Sequence, residues 1–262
     1  MFNPDIYHQN LSTQWLGHDL LYFEELESTN SHVKKLSSEE ISHGLLCLAD
    51  YQTEGRGQYE KNWVSERGEN LTFTLAFLPG QAKRLHVLTL ACARAIIRQL
   101  EETTGLEGAI KWPNDVCLDG RKVAGLLTET TFSGNKIDRL LVGIGLNVNQ
   151  DHFPDDIRDS AASIKQLTGK QIERELLMAE LMSHIEYEYR RWQKQERDQL
   201  RQINQNLIGY GRWVRLSING RVSDNTAKLI GVNEDGQLVV LTQDAELKTY
   251  SFEQIRIITD ED

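Results

Sequence analysis

The chain has 262 residues, 39% of them hydrophobic, and carries 29 Lys and Arg against 39 Asp and Glu for a net charge of −10. This length allows one large domain or a large one with a small companion, and the apolar residues are spread widely enough to argue against disorder. The acidic balance speaks against nonspecific attachment to nucleic acid or anionic lipid, which need a basic face, but leaves room for a local basic cluster around a small anion.

The opening residues, MFNPDIYHQNLSTQWLGHDLLYF, lack the basic start and apolar core of a secretory signal, and no apolar run is long enough to span a bilayer. Cys47, Cys92 and Cys117 are odd in number and far apart, which suits a reducing compartment, so a cytoplasmic protein is expected. The seven histidines fall in no metal-ligand spacing, and neither a zinc site nor a thiol nucleophile is expected.

Ser28-Thr29-Asn30 precedes a helical spacing through Val33 and Leu36, so a short helix is expected to start near Ser28 or Thr29. Its first N–H groups would point at whatever lies before it. Gly44 to Ala49 has strand length, and a polar segment from Gln52 to Gly57 follows. LTFTLAFL over 71–78 is the next strand, and 82–102 carries helical spacing. Residues 109–149 are strand-rich, with Asp119-Gly120 and Ser133-Gly134-Asn135 as hairpin turns, so an antiparallel sheet is expected. The longest helical candidate covers 173–206. After Gly211, short strands separated by Asn219-Gly220 and the Asn233-to-Gly236 turn predict a small all-β barrel. The expected organisation is an α+β body over 1–206 and a β-barrel over 207–262.

Four segments place unusual functional groups beside glycine or at element ends. In Gly55-Arg56-Gly57 the glycines let backbone approach a ligand while Arg56 offers a fork for carboxylate or phosphate; a surface turn with a solvated arginine is the alternative. In Lys111-Trp112-Pro113-Asn114-Asp115 the proline ends a strand, leaving Asn114 and Asp115 either to meet a base edge or metal or to open an ordinary turn. In the segment from Gly120 to Glu129, Lys122 shares parity with Ala124 and Leu126 and faces the core or pocket side if they do, which leaves Arg121 in solvent. A buried ammonium there needs an anion beside it. In Gly143-Ile144-Gly145-Leu146-Asn147 the glycines and Asn147 share one face, which suits either a bound ligand or a packed helix.

Together and in this order, the segments resemble the biotin protein ligases, the biotin–[acetyl-CoA-carboxylase] ligases, from about Phe23 onward. The elements are Glu27-Ser28-Thr29-Asn30, Gln52 through Gly57 with Trp63 and Asn70-Leu71, Lys111 to Asp115, Arg121 to Glu129 and Gly143 to Asn149. The resemblance implies a class II aminoacyl-tRNA-synthetase-like catalytic domain, with a mixed, mainly antiparallel sheet, followed by an Src-homology-3-like barrel. It implies that biotin and ATP give biotinyl-adenylate and pyrophosphate, and that a lysine of a biotin carboxyl carrier protein then takes the biotin. Ser28, Thr29, Asn30, Gln52, Arg56, Gly57, Gln58, Lys122 and Gly125 correspond to biotin-binding positions, and Arg56, Trp63, Asn114, Asp115 and Asn147 to nucleotide-binding ones. Arg56, Lys122 and Lys111 are the expected catalytic cations, and Asp115 the group that orients or deprotonates the acceptor lysine. Mg2+ is expected to arrive with ATP, near Asp115 and without a protein cage. Monomer and homodimer are both compatible with the sequence.

Two features qualify the resemblance. The family loop commonly reads Gly-Arg-Gly-Arg-x-Gly-Arg/Lys, whereas here Gln58 replaces a cation and Glu60 a glycine, so weaker retention of the adenylate is expected. The first motif begins at Glu27, which leaves no length for a helix-turn-helix, so the monofunctional form without DNA binding is expected. The rival readings are a lipoate protein ligase and a non-catalytic module that senses biotin or binds the carrier.

Overall fold

A computed structural model describes residues 1–58, 62–79, 84–134 and 136–258. It begins with α1 (Pro4–Asn10), whose first N–H groups are capped by the Asn3 side chain, and β1 (Leu20–Phe23). Next come α2 (Thr29–Lys35), β2 (Leu45–Ala49), β3 (Leu71–Phe77) and α3 (Leu85–Thr104). Four strands follow: β4 (Gly108–Lys111), β5 (Asp115–Leu118), β6 (Arg121–Ser133) and β7 (Lys136–Leu146). The body closes with α4 (Ile164–Thr168), α5 (Arg174–Gln193) and α6 (Arg197–Gln205). The expected helix start is found, since Ser28 is the N-cap of α2. Asp119 and Gly120, with φ of 49° and 77°, form the expected left-handed turn between β5 and β6.

The seven strands form one sheet in the order β1-β2-β3-β7-β6-β5-β4. Only β1 and β2 are parallel neighbours; every other pair is antiparallel. Alternation divides the sheet into two faces. Leu71, Phe73, Leu75, Ile144, Leu146 and Ala124 join Leu88 and Ile96 of α3 and Leu181 and Ile185 of α5 in the main core. On the opposite face, α2 contributes Val33 to a small cluster with Leu45, Cys47, Ala76 and Leu141. Beside that cluster the residues become small or polar: Thr72 and Thr74 of β3, Gly125 of β6 and Gly143 and Gly145 of β7.

The long helical stretch is broken between α5 and α6, where Gln195 takes a φ of 53°. Side-chain contacts hold the corner. Arg191 donates to Glu196 at 2.9 Å, and Gln199 donates to the Glu188 carbonyl at 2.8 Å, folding α6 back along α5. A helical period cannot reveal such a break, because the apolar stripe continues through it.

The C-terminal strands are β8 (Trp213–Ile218), β9 (Arg221–Val222), β10 (Ala227–Val232), β11 (Leu238–Leu241), β12 (Leu247–Tyr250) and β13 (Ile255–Ile258). They form a second, curled antiparallel sheet in the order β12-β11-β10-β8-β13, with β9 against β8. The Asn204 side chain grips Val232 through both its N–H, at 2.7 Å, and its carbonyl, at 3.2 Å, fastening β10 to the body.

Candidate active site

A cavity of about 510 Å³ opens on the polar side of the large sheet. It has the size of a small-molecule site, and every residue expected above to bind biotin or nucleotide or to act in catalysis lines it. Ser28, Thr29 and Asn30 come from the start of α2; Gln52, Arg56, Gly57, Gln58 and Trp63 from the segment between β2 and β3. Lys111, Asn114, Asp115, Lys122, Gly125 and Asn147 come from β4 to the end of β7. Residues 59–61, with Glu60 among them, lie outside the described residues.

The α2 end of the cavity is a connected hydrogen-bond network. Ser28 uses its hydroxyl as the cap, accepting from the Ser31 N–H at 3.4 Å. The Thr29 N–H and hydroxyl both donate to Gln52 Oε1, at 2.8 and 3.0 Å. The buried Thr74 hydroxyl lies 2.8 Å from that of Thr29 and donates to Asn30 Oδ1 at 2.5 Å. Asn30 Nδ2 in turn donates to Glu129 at 2.9 Å and to the Leu127 carbonyl at 3.2 Å. Polar groups brought this deep are tolerated because each meets a partner.

The glycines of β7 make room for side chains. A Cβ on Gly143 would stand 2.4 Å from Asn30 Oδ1, and one on Gly145 would stand 2.2 Å from the Trp63 ring. The space over these glycines is thus shared: Asn30 of α2 fills the part over Gly143 and the indole of Trp63 the part over Gly145. Gly55 is equally constrained, since a Cβ there would meet the Trp63 carbonyl at 2.6 Å.

Lys122 reaches the cavity by a different route from strict alternation. Ala124 and Leu126 face the helix-covered core, so by parity Lys122 would have joined them. The register of β5 against β6 shifts at Val116/Cys117, pairing Cys117 with Lys122 and Asp115 with Gly125. This β-bulge inserts Val123 as an extra residue and turns Lys122 back toward the site. Its ammonium lies 2.8 Å from the Asp115 carboxylate, which supplies the anion that a half-buried lysine requires.

The Lys111 to Asp115 segment forms the tight connection between β4 and β5. Asn114 is held against β6: its Nδ2 donates to the Leu126 carbonyl at 2.6 Å, and its own carbonyl accepts from the Leu126 N–H at 2.9 Å. Trp112 is buried, and its indole N–H donates to the Gly236 carbonyl of the second sheet at 3.3 Å. Asn147 donates through Nδ2 to the Ala162 carbonyl at 3.2 Å. Its Oδ1 and the Trp63 indole N–H are buried without a hydrogen-bond partner among the described residues. Both residues line the cavity, and these two atoms keep an acceptor and a donor unused there.

Arg56 donates to the Ser31 hydroxyl and to Glu129, at 3.1 Å each, and Lys34 reaches the other Glu129 oxygen at 3.2 Å. Burial alone would raise the Glu129 pKa, but the Asn30 amide, the Arg56 guanidinium and the Lys34 ammonium outweigh it and hold the carboxyl below its ordinary value.

Ser31, Thr74, Glu129 and Arg256 were not among the expected site residues. Thr74 left a trace in the alternation of 71–78, where threonines interrupt an apolar run, and Glu129 closed one of the motifs. Arg256 lines the cavity from β13, and no local pattern marks it. Among the described residues no group of three or more His, Cys, Asp or Glu is arranged to hold a metal, and no helix is long and apolar enough to cross a membrane.

Residues 22–147 match the biotin/lipoate A/B protein ligase family. The chain is 31% identical over 246 residues to the bifunctional ligase/repressor BirA of Bacillus subtilis, covering 92% of this chain and 75% of that one. It is 34% identical over 175 residues to the biotin–[acetyl-CoA-carboxylase] ligase of Paracoccus denitrificans, covering 64% of this chain and 70% of the relative. Among solved structures, the biotin protein ligase of Aquifex aeolicus in complex with biotin and ATP superposes with a TM-score of 0.78 at 30% identity. That likeness covers 92% of this chain and 100% of the other.

Proposed function

The chain belongs to the biotin protein ligase family, and from that premise we propose how its own residues activate biotin with ATP and pass it to a lysine of a biotin carboxyl carrier domain. The observation that carries this reading is the convergence of Ser28 to Asn30, Gln52, Arg56 and Lys122 on one cavity. The network of Thr29, Gln52, Thr74 and Asn30 offers fixed donors and acceptors for the ureido ring of biotin. Activation joins two anions, because the biotin carboxylate attacks the α-phosphate of ATP and pyrophosphate leaves. Arg56 and Lys122, supported by Lys111, offset that repulsion by holding positive charge where negative charge gathers. The unpaired Trp63 N–H and Asn147 Oδ1 serve the adenylate half of the intermediate, with Asn114 and Asp115 alongside.

In the second step the acceptor lysine attacks the mixed anhydride as a free amine, AMP leaves, and Asp115 orients the amine or takes its proton. Mg2+ belongs to the proposal with ATP. This ion is commonly held by one or two carboxylates together with substrate phosphates, and Asp115 is the cavity carboxylate that fits it. When bound, it supplies charge neutralisation at the phosphates. The division into a catalytic body over 1–206 and a β-cap over 207–262 is part of the same reading.

Incubation with ATP, Mg2+, biotin and a carrier domain, followed by intact mass, tests the function. The carrier is expected to gain one biotin, and pyrophosphate release is expected to require both ATP and biotin. Binding of biotin with no gain of carrier mass and no pyrophosphate would favour a sensor. Full activity in Arg56→Ala and Lys122→Ala would remove the site assignment. Gln58→Arg is expected to slow escape of the adenylate; equal off-rates would count against the loop argument.

A further inference from the structure

The Arg56 loop has an anchor that its own sequence does not reveal. Glu129 lies on the cavity face of β6, two residues on from Leu127, and its side chain is 18% exposed against 45% for Arg56. One of its oxygens accepts from both Asn30, at 2.9 Å, and Arg56, at 3.1 Å; the other accepts from Lys34 at 3.2 Å. The Arg56 guanidinium also donates to Ser31 of α2. One carboxylate therefore joins the loop, the start of α2 and the central sheet. A solvent-exposed ion pair would do little of this, because screening and side-chain entropy cancel most of its attraction. Here the carboxylate is largely withdrawn from water and receives three donors, two of them cationic.

We propose that Glu129 is a positioning residue: through Arg56 it pins the Gly55-to-Gly57 loop to the sheet, and through Asn30 it ties that loop to the ligand-facing start of α2. Pinning lowers the ordering cost when a ligand arrives. The backbone is already shaped for this, because Arg56 bridges Asn62 and the Trp63 N–H donates to the Gly55 carbonyl at 2.8 Å. These contacts pair residues 55–56 with 62–63, and the pairing is steady once Arg56 is held. Glu129 touches no reacting atom. Its effect reaches the ligand through Arg56 and Asn30, so for this step the inference rests on the ligase reading.

Glu129→Gln keeps the shape and an acceptor oxygen but removes the charge, and the full chain is used throughout. Amide hydrogen exchange in the unliganded protein is expected to rise about tenfold at residues 55–57 and 62–63 and to stay unchanged in β3 and β7. In the pyrophosphate assay the KM for biotin is expected to rise about tenfold with kcat within about twofold. Lys34→Ala, which cuts only the outermost contact, is expected to change neither. If Glu129→Gln proves unstable, Glu129→Asp keeps the charge and withdraws it by one methylene, with the same loosening expected. Unchanged loop exchange in a folded variant overturns the proposal, as does a fall in kcat with KM unaltered. Raised loop exchange beside a wild type that releases no pyrophosphate supports the anchor and refutes the ligase reading instead.

Discussion

The two faces of the large sheet are built from the same strands, yet they have opposite chemistry. One carries Phe73, Leu75, Ile144 and Leu146 into a dry core beneath α3 and α5. The other carries Thr72, Thr74, Gly143 and Gly145, and its deep polar groups are tolerated because each meets a partner: Thr72 donates to the Ala49 carbonyl, and Thr74 to Asn30, which donates in turn to Glu129. The comparison teaches that stability and recognition are separated by the two-residue repeat of a strand, and that adjacent residues can serve different ends. A substitution on one face should therefore be read in a different measurement from its neighbour on the other.

The strongest challenge to that separation is Leu75→Ala. Emptying this fully buried position, which does not line the cavity, should cost about 2–5 kcal/mol of stability in chemical denaturation, while the protein that remains folded binds biotin with unchanged Kd. A parallel loss of affinity would show that the faces are coupled. Gly145→Ala is the converse. The added Cβ would stand 2.2 Å from the Trp63 ring, so the indole must move out of its place in the cavity wall, and weaker ligand affinity should appear by calorimetry. A smaller effect is expected from Thr74→Val, which leaves Asn30 Oδ1 without its donor. It should weaken biotin binding by about 1 kcal/mol, and an unaltered Kd would remove Thr74 from the recognition network.

Acid should distinguish the faces by the order in which it acts. Burial holds His43 below its ordinary value of 6.5, and its Nδ1 accepts from the Leu78 N–H at 2.9 Å. Because the unfolded chain takes up this proton more readily, stability should begin to fall as pH drops below 6.5. Glu129 is also depressed, from 4.5, so its contribution is full above that value and is lost as pH falls through the lower folded-state value. Acid unfolding followed by CD should show the first loss removed in His43→Gln and the second removed in Glu129→Gln.

Much of this division is legible in the sequence. The Ser28 cap, the Asp119-Gly120 turn and the threonines within LTFTLAFL follow from local chemistry. Strict alternation would have sent Lys122 to the core with Ala124 and Leu126, and the bulge alone reverses that parity. A bulge depends on how two strands register, and no single strand records it. α1 and β1 escaped for a related reason. Each is short, and β1 is held at the sheet edge by pairing with residues 46–49. Ser31 and Glu129 adjoin or close a motif but acquire their roles only through distant partners, and the neighbours of Arg256 in sequence carry no sign of it.

The contact between Trp112 and the Gly236 carbonyl has a consequence in time. These residues are 124 positions apart, and a ribosome makes them in that order, with N-terminal regions free to fold first. While the body is emerging, the indole N–H of Trp112 has no Gly236 to meet, and that wall of the cavity lacks its brace. That brace arrives with the turn between β10 and β11, and Arg256 of β13 comes later still, so a nascent chain that stops short of them carries the motifs without the completed site.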